Sequence, residues 1–225
     1  MSKPSTSALV KLLIAGLAMV LLVPAAPAVP AEAQAVPAPK VLFIGDSMTS
    51  LYNNKVGDYH RGWWSYVAAA KGWTPMKDAE YGSGYLRRGL SCTGTRFEHR
   101  LPTVTERKPD VIVVAGGRND GKKCVKGKLV AATTSELTQV VNTYFTGLAA
   151  TAKALGVDKV YVVSPWAGDF ATGYKVRAVI RDAARAYGFT WITTPFMPRN
   201  YTTDGLHQNA SGNRWLRDQV LAGMS

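Results

Sequence analysis

Lys40-Val41-Leu42-Phe43-Ile44-Gly45-Asp46-Ser47 carries a short apolar run straight into a Gly-Asp-Ser turn. Four consecutive apolar residues stopped by a glycine read as a buried strand, because no polar position alternates through them to face water. The same signature returns at Asp110-Val111-Ile112-Val113-Val114-Ala115, bounded by Pro109 and Gly116, and at Lys159-Val160-Tyr161-Val162-Val163. Shorter strands are expected over 189–192 and near 76–79. Between these runs the apolar residues take helical spacing. They do so over 63–71, stopped by Gly72, and over 135–155, with Ser135 placed to cap the start and Gly156 the end. Two more helices are expected over 178–187, closed by Gly188, and over 211–221. Apolar strands alternating with helices predict an α/β fold whose parallel sheet is covered on both faces.

A chain of 225 residues, 47% hydrophobic and 19% charged, is ordinary globular composition of one-domain length, which excludes a disordered, collagen-like or coiled-coil protein. Its 27 Lys+Arg against 15 Asp+Glu give a net charge of +12. The cations are scattered from Lys40 to Arg217 rather than gathered in a run. Such a surface is either simply solvated or drawn electrostatically to an anionic polymer or cell envelope. No nucleic-acid partner is expected, and the domain is expected to be a monomer.

The amino end has the build of a secretory signal peptide. Lys3 and Lys11 precede an apolar run over 12–23, too short for the ~30 Å hydrocarbon core that needs about 20 residues. Overlapping A-x-A sites follow at Ala31-Glu32-Ala33 and Ala33-Gln34-Ala35. No cysteine lies near them, so a lipoprotein is excluded. Cleavage after Ala35 removes Lys3, Lys11 and Glu32 among the charges, leaving +11. The expected organisation is a leader over 1–35, a Pro/Ala linker over 36–39 and a secreted domain over 40–225 with no membrane-spanning segment. Two cysteines, Cys92 and Cys124, remain in the exported part. An even count in an oxidising compartment favours a disulfide between them, with buried free thiols as the alternative. No C-x-x-C, His/Cys cluster or H-E-x-x-H is present, so no metal or other cofactor is expected.

Parallel α/β sheets carry their chemistry beyond the carboxyl ends of the strands. Here the strands run into Gly45-Asp46-Ser47, Tyr81-Gly82-Ser83-Gly84-Tyr85, Gly117-Arg118-Asn119-Asp120 and, before the last helix, Asp204-Gly205-Leu206-His207. A serine after a strand is most often a helix cap. Ser47 gains weight because a hydroxyl nucleophile needs a base and the chain has only three histidines. His60 and His99 lie in polar, aromatic-rich surroundings; His207 stands three residues after Asp204, a spacing that lets the carboxylate fix the imidazole and leaves its other nitrogen for Ser47. Asp204-Gly205 also suits a plain turn. Asn119 and backbone N–H groups at the glycines are donors suited to a developing oxyanion.

Two other motifs are rejected on chemistry. Gly116 to Lys122 has the glycine and lysine spacing of a phosphate-binding loop, but Lys123 stands where the Mg²⁺-binding hydroxyl belongs. Gly45-Asp46-Ser47-Met48-Thr49 starts like a G-x-S-x-G nucleophile elbow, but Thr49 replaces the second glycine.

Taken in order, the four segments resemble the blocks of the SGNH (GDSL-like) hydrolase family, with Met48 where the family name has leucine and two glycines in the second block. The resemblance covers essentially the whole domain. It implies a flavodoxin-like, three-layer α/β/α sandwich with a parallel sheet of about five strands, and metal-free hydrolysis of carboxylic esters. Carried over, Ser47 is the nucleophile, His207 the base and Asp204 its orienter. The oxyanion donors would be the Ser47 N–H, the Asn119 side chain and the N–H of Gly84, with Gly82 as the alternative. The expected substrate is a short-chain ester, such as an O-acetyl group on a glycan or envelope component. The alternatives are a lipase-like or acyltransferase activity, or a non-catalytic binder of anionic polymers. Trp166 and Arg118 are candidates to line the site; Trp63 and Trp64 suit the core better. Asn200-Tyr201-Thr202 and Asn209-Ala210-Ser211 have the form of glycosylation sequons.

Overall fold

β1 (Lys40–Gly45) is the strand of the opening run, and it passes through Asp46 into a single helical turn, α1 (Ser47–Ser50). α2 (Trp63–Lys71) then leads through the left-handed Gly72 to β2 (Thr74–Ala79). A 3-10 turn over Phe97–Arg100 runs into α3 (Leu101–Arg107), followed by β3 (Val111–Ala115). A second 3-10 turn, Arg118–Gly121, precedes the hairpin of β4 (Lys122–Val125) and β5 (Lys128–Ala131). The chain continues through α4 (Thr134–Leu155), β6 (Lys159–Val163), α5 (Ala171–Ala186), β7 (Thr190–Ile192) and α6 (Ala210–Ala222). The computed structural model describes residues 36–166 and 171–224; the expected leader over 1–35 lies outside them. Among the described residues, no helix is long and apolar enough to cross a membrane.

Five strands pair in parallel in the order β2-β1-β3-β6-β7. Alternate residues of these strands serve opposite layers, as the period of two requires. Leu42, Ile44, Ile112, Val114, Val160 and Val162 pack toward Tyr144, Phe145 and Leu148 of α4 and Ile180 of α5. Val41, Phe43, Val111, Val113 and Val163 pack toward Trp63 and Trp64 of α2 and Leu216 and Val220 of α6. Burying each of these side chains contributes about 1.5–3 kcal/mol, so both faces are held by aliphatic and aromatic burial. The result is a three-layer α/β/α sandwich. Its register is what positions the site. Ala79, Gly45, Ala115, Val163 and Ile192 pair in one row, so the four strands that lead into the chemistry end level with one another.

Several boundaries differ from the sequence reading. Thr133, not Ser135, caps α4: its hydroxyl accepts from the Glu136 N–H while the Glu136 carboxylate accepts from the Thr133 N–H. α5 begins at Ala171 rather than 178, and Asn209 caps α6 through a bond from the Gly212 N–H. The β4–β5 hairpin and α3 were not anticipated. The hairpin turns on Lys126 (φ 47°) and Gly127 (φ 75°), two consecutive left-handed residues, as a tight two-residue loop demands. Cys92 and Cys124 form the expected disulfide, with Cα atoms 5.5 Å apart, which ties the long segment after β2 to β4.

Candidate active site

Asp46 sets the local geometry of Ser47. Its Oδ1 accepts from the Met48 N–H at 2.9 Å, capping α1. Ser47 thus becomes the first residue of a helix, with its hydroxyl at the end of β1 and its own N–H among the donors that a helix start leaves unpaired within the helix. Buried Trp63 and Gln208 both donate to the Met48 carbonyl, at 3.1 and 3.0 Å, and fasten this turn from below.

His207 arrives from the segment between β7 and α6, 160 residues on, and its Nε2 lies 3.0 Å from Ser47 Oγ. Its Nδ1 lies 2.7 Å from Asp204 Oδ2. Asp204 Oδ1 also accepts from the N–H groups of Leu206 and His207, at 2.9 and 2.7 Å. One carboxylate therefore holds both the ring and the backbone that carries it. Slight burial pushes the Asp204 carboxyl up, but these bonds from His207 and Leu206 outweigh it and hold it at about 2. An imidazole oriented by an ionised carboxylate and bonded to a hydroxyl is an arrangement able to take the hydroxyl proton. Tyr81 stacks on His207, with ring centres 5.5 Å apart.

Asn119 lies in the 3-10 turn after β3. Its amide nitrogen donates to the Ser83 carbonyl at 2.8 Å and stands 3.4 Å from Asp46 Oδ2. The expected donor Gly84 is differently engaged: its N–H bonds the Arg87 carbonyl at 3.0 Å. Glycine is required there for close approach, since a Cβ would lie 2.7 Å from Asp120 Cγ. Gly82 is left-handed at φ 71°, and a Cβ there would meet the backbone of Leu90.

Two further residues, Asp120 and Arg100, position the site. Buried Asp120 accepts from the N–H groups of Tyr85, Leu86 and Arg87 at 2.8–3.0 Å and so shapes the second block. Arg100, buried at 3% exposure, donates to the Gly45 carbonyl and to Ser83 Oγ, both at 2.9 Å, and pairs with Asp78 at 3.3 Å. It joins the end of β1 to the loop after β2. Only the four-residue block around Asp120 hinted at a role; nothing near Arg100 in sequence did. Burial pushes the carboxyl of Asp46 up to about 7 and that of Asp120 to about 6, against the backbone N–H bonds that each accepts.

Trp63 and Trp64 are core residues at 0% and 4% exposure. Trp166 and Arg118 lie beside Asp46 and Met48. With Asp46, Met48 and Gly116 they enclose a cavity of about 10 Å³, and the Arg118 guanidinium donates to the Trp166 carbonyl at 3.1 Å. An open groove of about 420 Å³ is lined by Tyr59, His60, Asp204, His207 and Gln208. The segment that began like a phosphate loop continues into β4 instead of a helix, so no helix start faces a phosphate there. Of the two sequons, Asn209 has both amide atoms committed, to Gly212 N–H and the Asn200 carbonyl. Among the described residues, no group of three or more metal-ligating side chains comes together.

The sequence model of the GDSL-like lipase/acylhydrolase family matches residues 43–215. A search of the curated proteins finds no match. Among solved structures, the chain is similar to the acetyl xylan esterase AlAXEase, at 18% identity and a TM-score of 0.60, covering 83% of this chain and 100% of that one. It is similar to the aryl esterase of M. smegmatis at 17% identity and a TM-score of 0.55, covering 82% and 99%. The lipase/acylhydrolase from Enterococcus faecalis aligns at 16% identity and a TM-score of 0.54, covering 82% and 94%. At these identities the solved structures speak for the shared fold, while the family match spans well over half of the sequence. The chain belongs to the GDSL-like lipase/acylhydrolase family, the SGNH hydrolases, and is a carboxylic ester hydrolase.

Proposed function

We propose that this hydrolase is a secreted serine esterase that removes short acyl groups, acetyl above all, from the hydroxyls of glycans or other envelope components. The observation that carries the reading is the chain of bonds from Ser47 Oγ to His207 to Asp204, with a very small cavity walled by Asp46 and Met48 and a wide groove lined by Asp204 and His207. His207 takes the Ser47 proton as the oxygen attacks the ester carbonyl. The Ser47 N–H and the Asn119 amide donate to the tetrahedral oxyanion, each such donor being worth roughly 3 kcal/mol. Gly84, the third donor that the family resemblance implies, has its N–H on the Arg87 carbonyl, so the Ser47 N–H and the Asn119 amide carry the oxyanion in this reading. His207 then gives its proton to the departing alcohol, and water releases the acyl group by the same steps in reverse order.

The cavity beside Asp46 and Met48 holds about one water-sized group, which suits the methyl of an acetyl and not a fatty chain. The groove falls within the range of ordinary ligand sites, roughly 300–1,000 Å³, and receives the alcohol. Several structural relatives are named as acetyl xylan or carbohydrate esterases, which supports a glycan alcohol. Export and loose electrostatic association with an anionic envelope, in monomeric form, complete the reading; they rest on the leader over 1–35 and the +11 charge of the domain that follows it.

A panel of p-nitrophenyl esters from acetate to palmitate, run beside acetylated glycans, tests it. Acetate should exceed octanoate by about tenfold or more in kcat/KM, and Ser47→Ala should fold normally and lose turnover by at least ~10³. A purified Ser47→Ala protein that keeps more than a few per cent of activity would overturn the mechanism.

A further inference from the structure

We infer that Tyr59 and His60 form a sugar-binding platform that holds the pyranose ring of the alcohol being released, a reading that rests on the esterase assignment above. The platform sits at the tip of the loop over 51–62, between α1 and α2. This loop is tightly built. The Asn53 N–H bonds the His60 carbonyl and the Gly62 N–H bonds the Asn53 carbonyl, both at 2.9 Å. Asn53 Oδ1 accepts from the Lys55 N–H at 2.9 Å, and its amide donates to Asp58 Oδ2 at 3.0 Å. Asp58 Oδ1 in turn accepts from the His60 N–H at 2.7 Å.

All this order presents an aromatic pair to solvent. Tyr59 is 73% exposed, and its ring centre lies 3.8 Å from that of His60. Tyr59 belongs to neither core cluster, so packing of the fold does not account for it. Both rings line the same groove as His207 and Asp204.

The chemistry decides which half of the substrate lies there. His207 must hand its proton to the leaving alcohol oxygen, so the alcohol lies on the His207 side of the ester bond. The small cavity walled by Asp46 and Met48, the neighbours of Ser47 in the chain, is assigned to the acyl group. The groove is therefore left to the alcohol. A pyranose has a flat face of C–H bonds that packs on an exposed ring, and a rim of hydroxyls that needs polar partners. Tyr59 supplies the face; the exposed His60 ring and the exposed Thr203 hydroxyl, both lining the groove, supply polar atoms beside it.

The test uses acetylated xylo-, cello- and chitotetraose against ethyl acetate, whose leaving group is too small to reach the loop. Tyr59→Ala should lower kcat/KM for at least one tetrasaccharide about tenfold more than for ethyl acetate, and Tyr59→Phe should restore most of the difference. Melting temperatures verify that each variant is folded. Calorimetric titration of Ser47→Ala with the same tetrasaccharides, with and without Tyr59→Ala, reads binding apart from turnover; Kd should rise about fivefold or more. Equal losses on ethyl acetate and every tetrasaccharide, or no binding of any of them to Ser47→Ala, would overturn the platform. Binding that depends on Tyr59 in a protein that hydrolyses no ester would uphold the platform while removing the esterase mechanism.

Discussion

The carboxylate of Asp120 and the α-carbon of Gly84 leave no room between them: a Cβ on Gly84 would lie 2.7 Å from Asp120 Cγ. Around this close approach, Asp120 collects three successive N–H groups from Tyr85, Leu86 and Arg87, and neighbouring Asn119 donates to the Ser83 carbonyl. The segment after β3 and the segment after β2 are thereby locked face to face. The position of the Asn119 amide, 3.4 Å from Asp46 Oδ2 beside the start of α1, is a consequence of that lock.

Gly84→Ala and Asp120→Asn should therefore act alike. The amide of Asn offers one acceptor oxygen where the carboxylate offers two, leaving a buried N–H without a partner at a cost of about 1–3 kcal/mol. Scanning calorimetry should show the melting temperature of either variant falling by several degrees, at roughly 2–4 °C per kcal/mol for a domain of this size. Unchanged melting in both would mean that the lock contributes nothing.

The carboxyls predict a two-sided pH dependence. Asp46 is pushed up to about 7 and Asp120 to about 6, both from 3.8, so between about pH 4 and 7 the folded protein holds protons that the unfolded chain has released. Stability then falls as pH rises through that window. Asp204 and Glu136 are held at about 2, so their contribution is present above pH 4 and is lost as pH falls toward 2. Melting temperature should peak near pH 4–5. Asp46→Asn keeps the helix cap and should flatten the slope on the alkaline side, which a melting series from pH 3 to 8 would reveal.

How far each interaction reaches along the chain decides whether the sequence made it legible. β1, β3 and β6 are buried on both faces, so Leu42, Val113 and Val162 stand in unbroken apolar runs. Asp204 and His207 interact three residues apart, so their partnership is written locally. Thr133 was legible too, since Glu136 stands three residues on, but Ser135 competed as a cap. Arg100 was not, because Gly45, Ser83 and Asp78 come to it only when β1 and β2 pair. The β4–β5 hairpin hid for another reason. Its four strand residues per side include Lys122, Lys123 and Lys128, and it lacks the apolar alternation of a half-buried strand. The Gly84 N–H depends on a turn conformation closed by Arg87, which no residue type announces.

The Cys92–Cys124 bond closes a loop whose ends are 32 residues apart. In the chain-entropy model a loop of that length stabilises the fold by about 3–4 kcal/mol. Replacing both cysteines with serine should lower the melting temperature by on the order of 10 °C. Because the bond ties the second-block segment to β4, the variant should also show faster amide exchange at Tyr85 to Arg87. A double variant with wild-type melting and exchange would show the bond to be dispensable.

Asn119 separates catalysis from structure most cleanly. Its amide nitrogen carries two hydrogens; one is engaged by the Ser83 carbonyl at 2.8 Å, and the other has only Asp46 Oδ2 at 3.4 Å. The second is thus available to an oxyanion growing on a carbonyl attacked by Ser47. A donor used only as charge develops acts on the transition state and hardly on the bound ester. Asn119→Ala should accordingly lower kcat by ~10²–10³ with little change in KM. If Asn119 only fastened the turn, the loss would appear as stability, about 1 kcal/mol for one hydrogen bond, with turnover per folded molecule close to wild type. Asn119→Asp sharpens the contrast. It keeps the shape but removes both hydrogens and sets a carboxylate near the developing negative charge, so its kcat should fall below that of the alanine variant. Measuring kcat, KM and melting temperature for both variants on a short-chain ester decides between the roles, and an early-melting alanine variant with normal kcat would take Asn119 out of the oxyanion site.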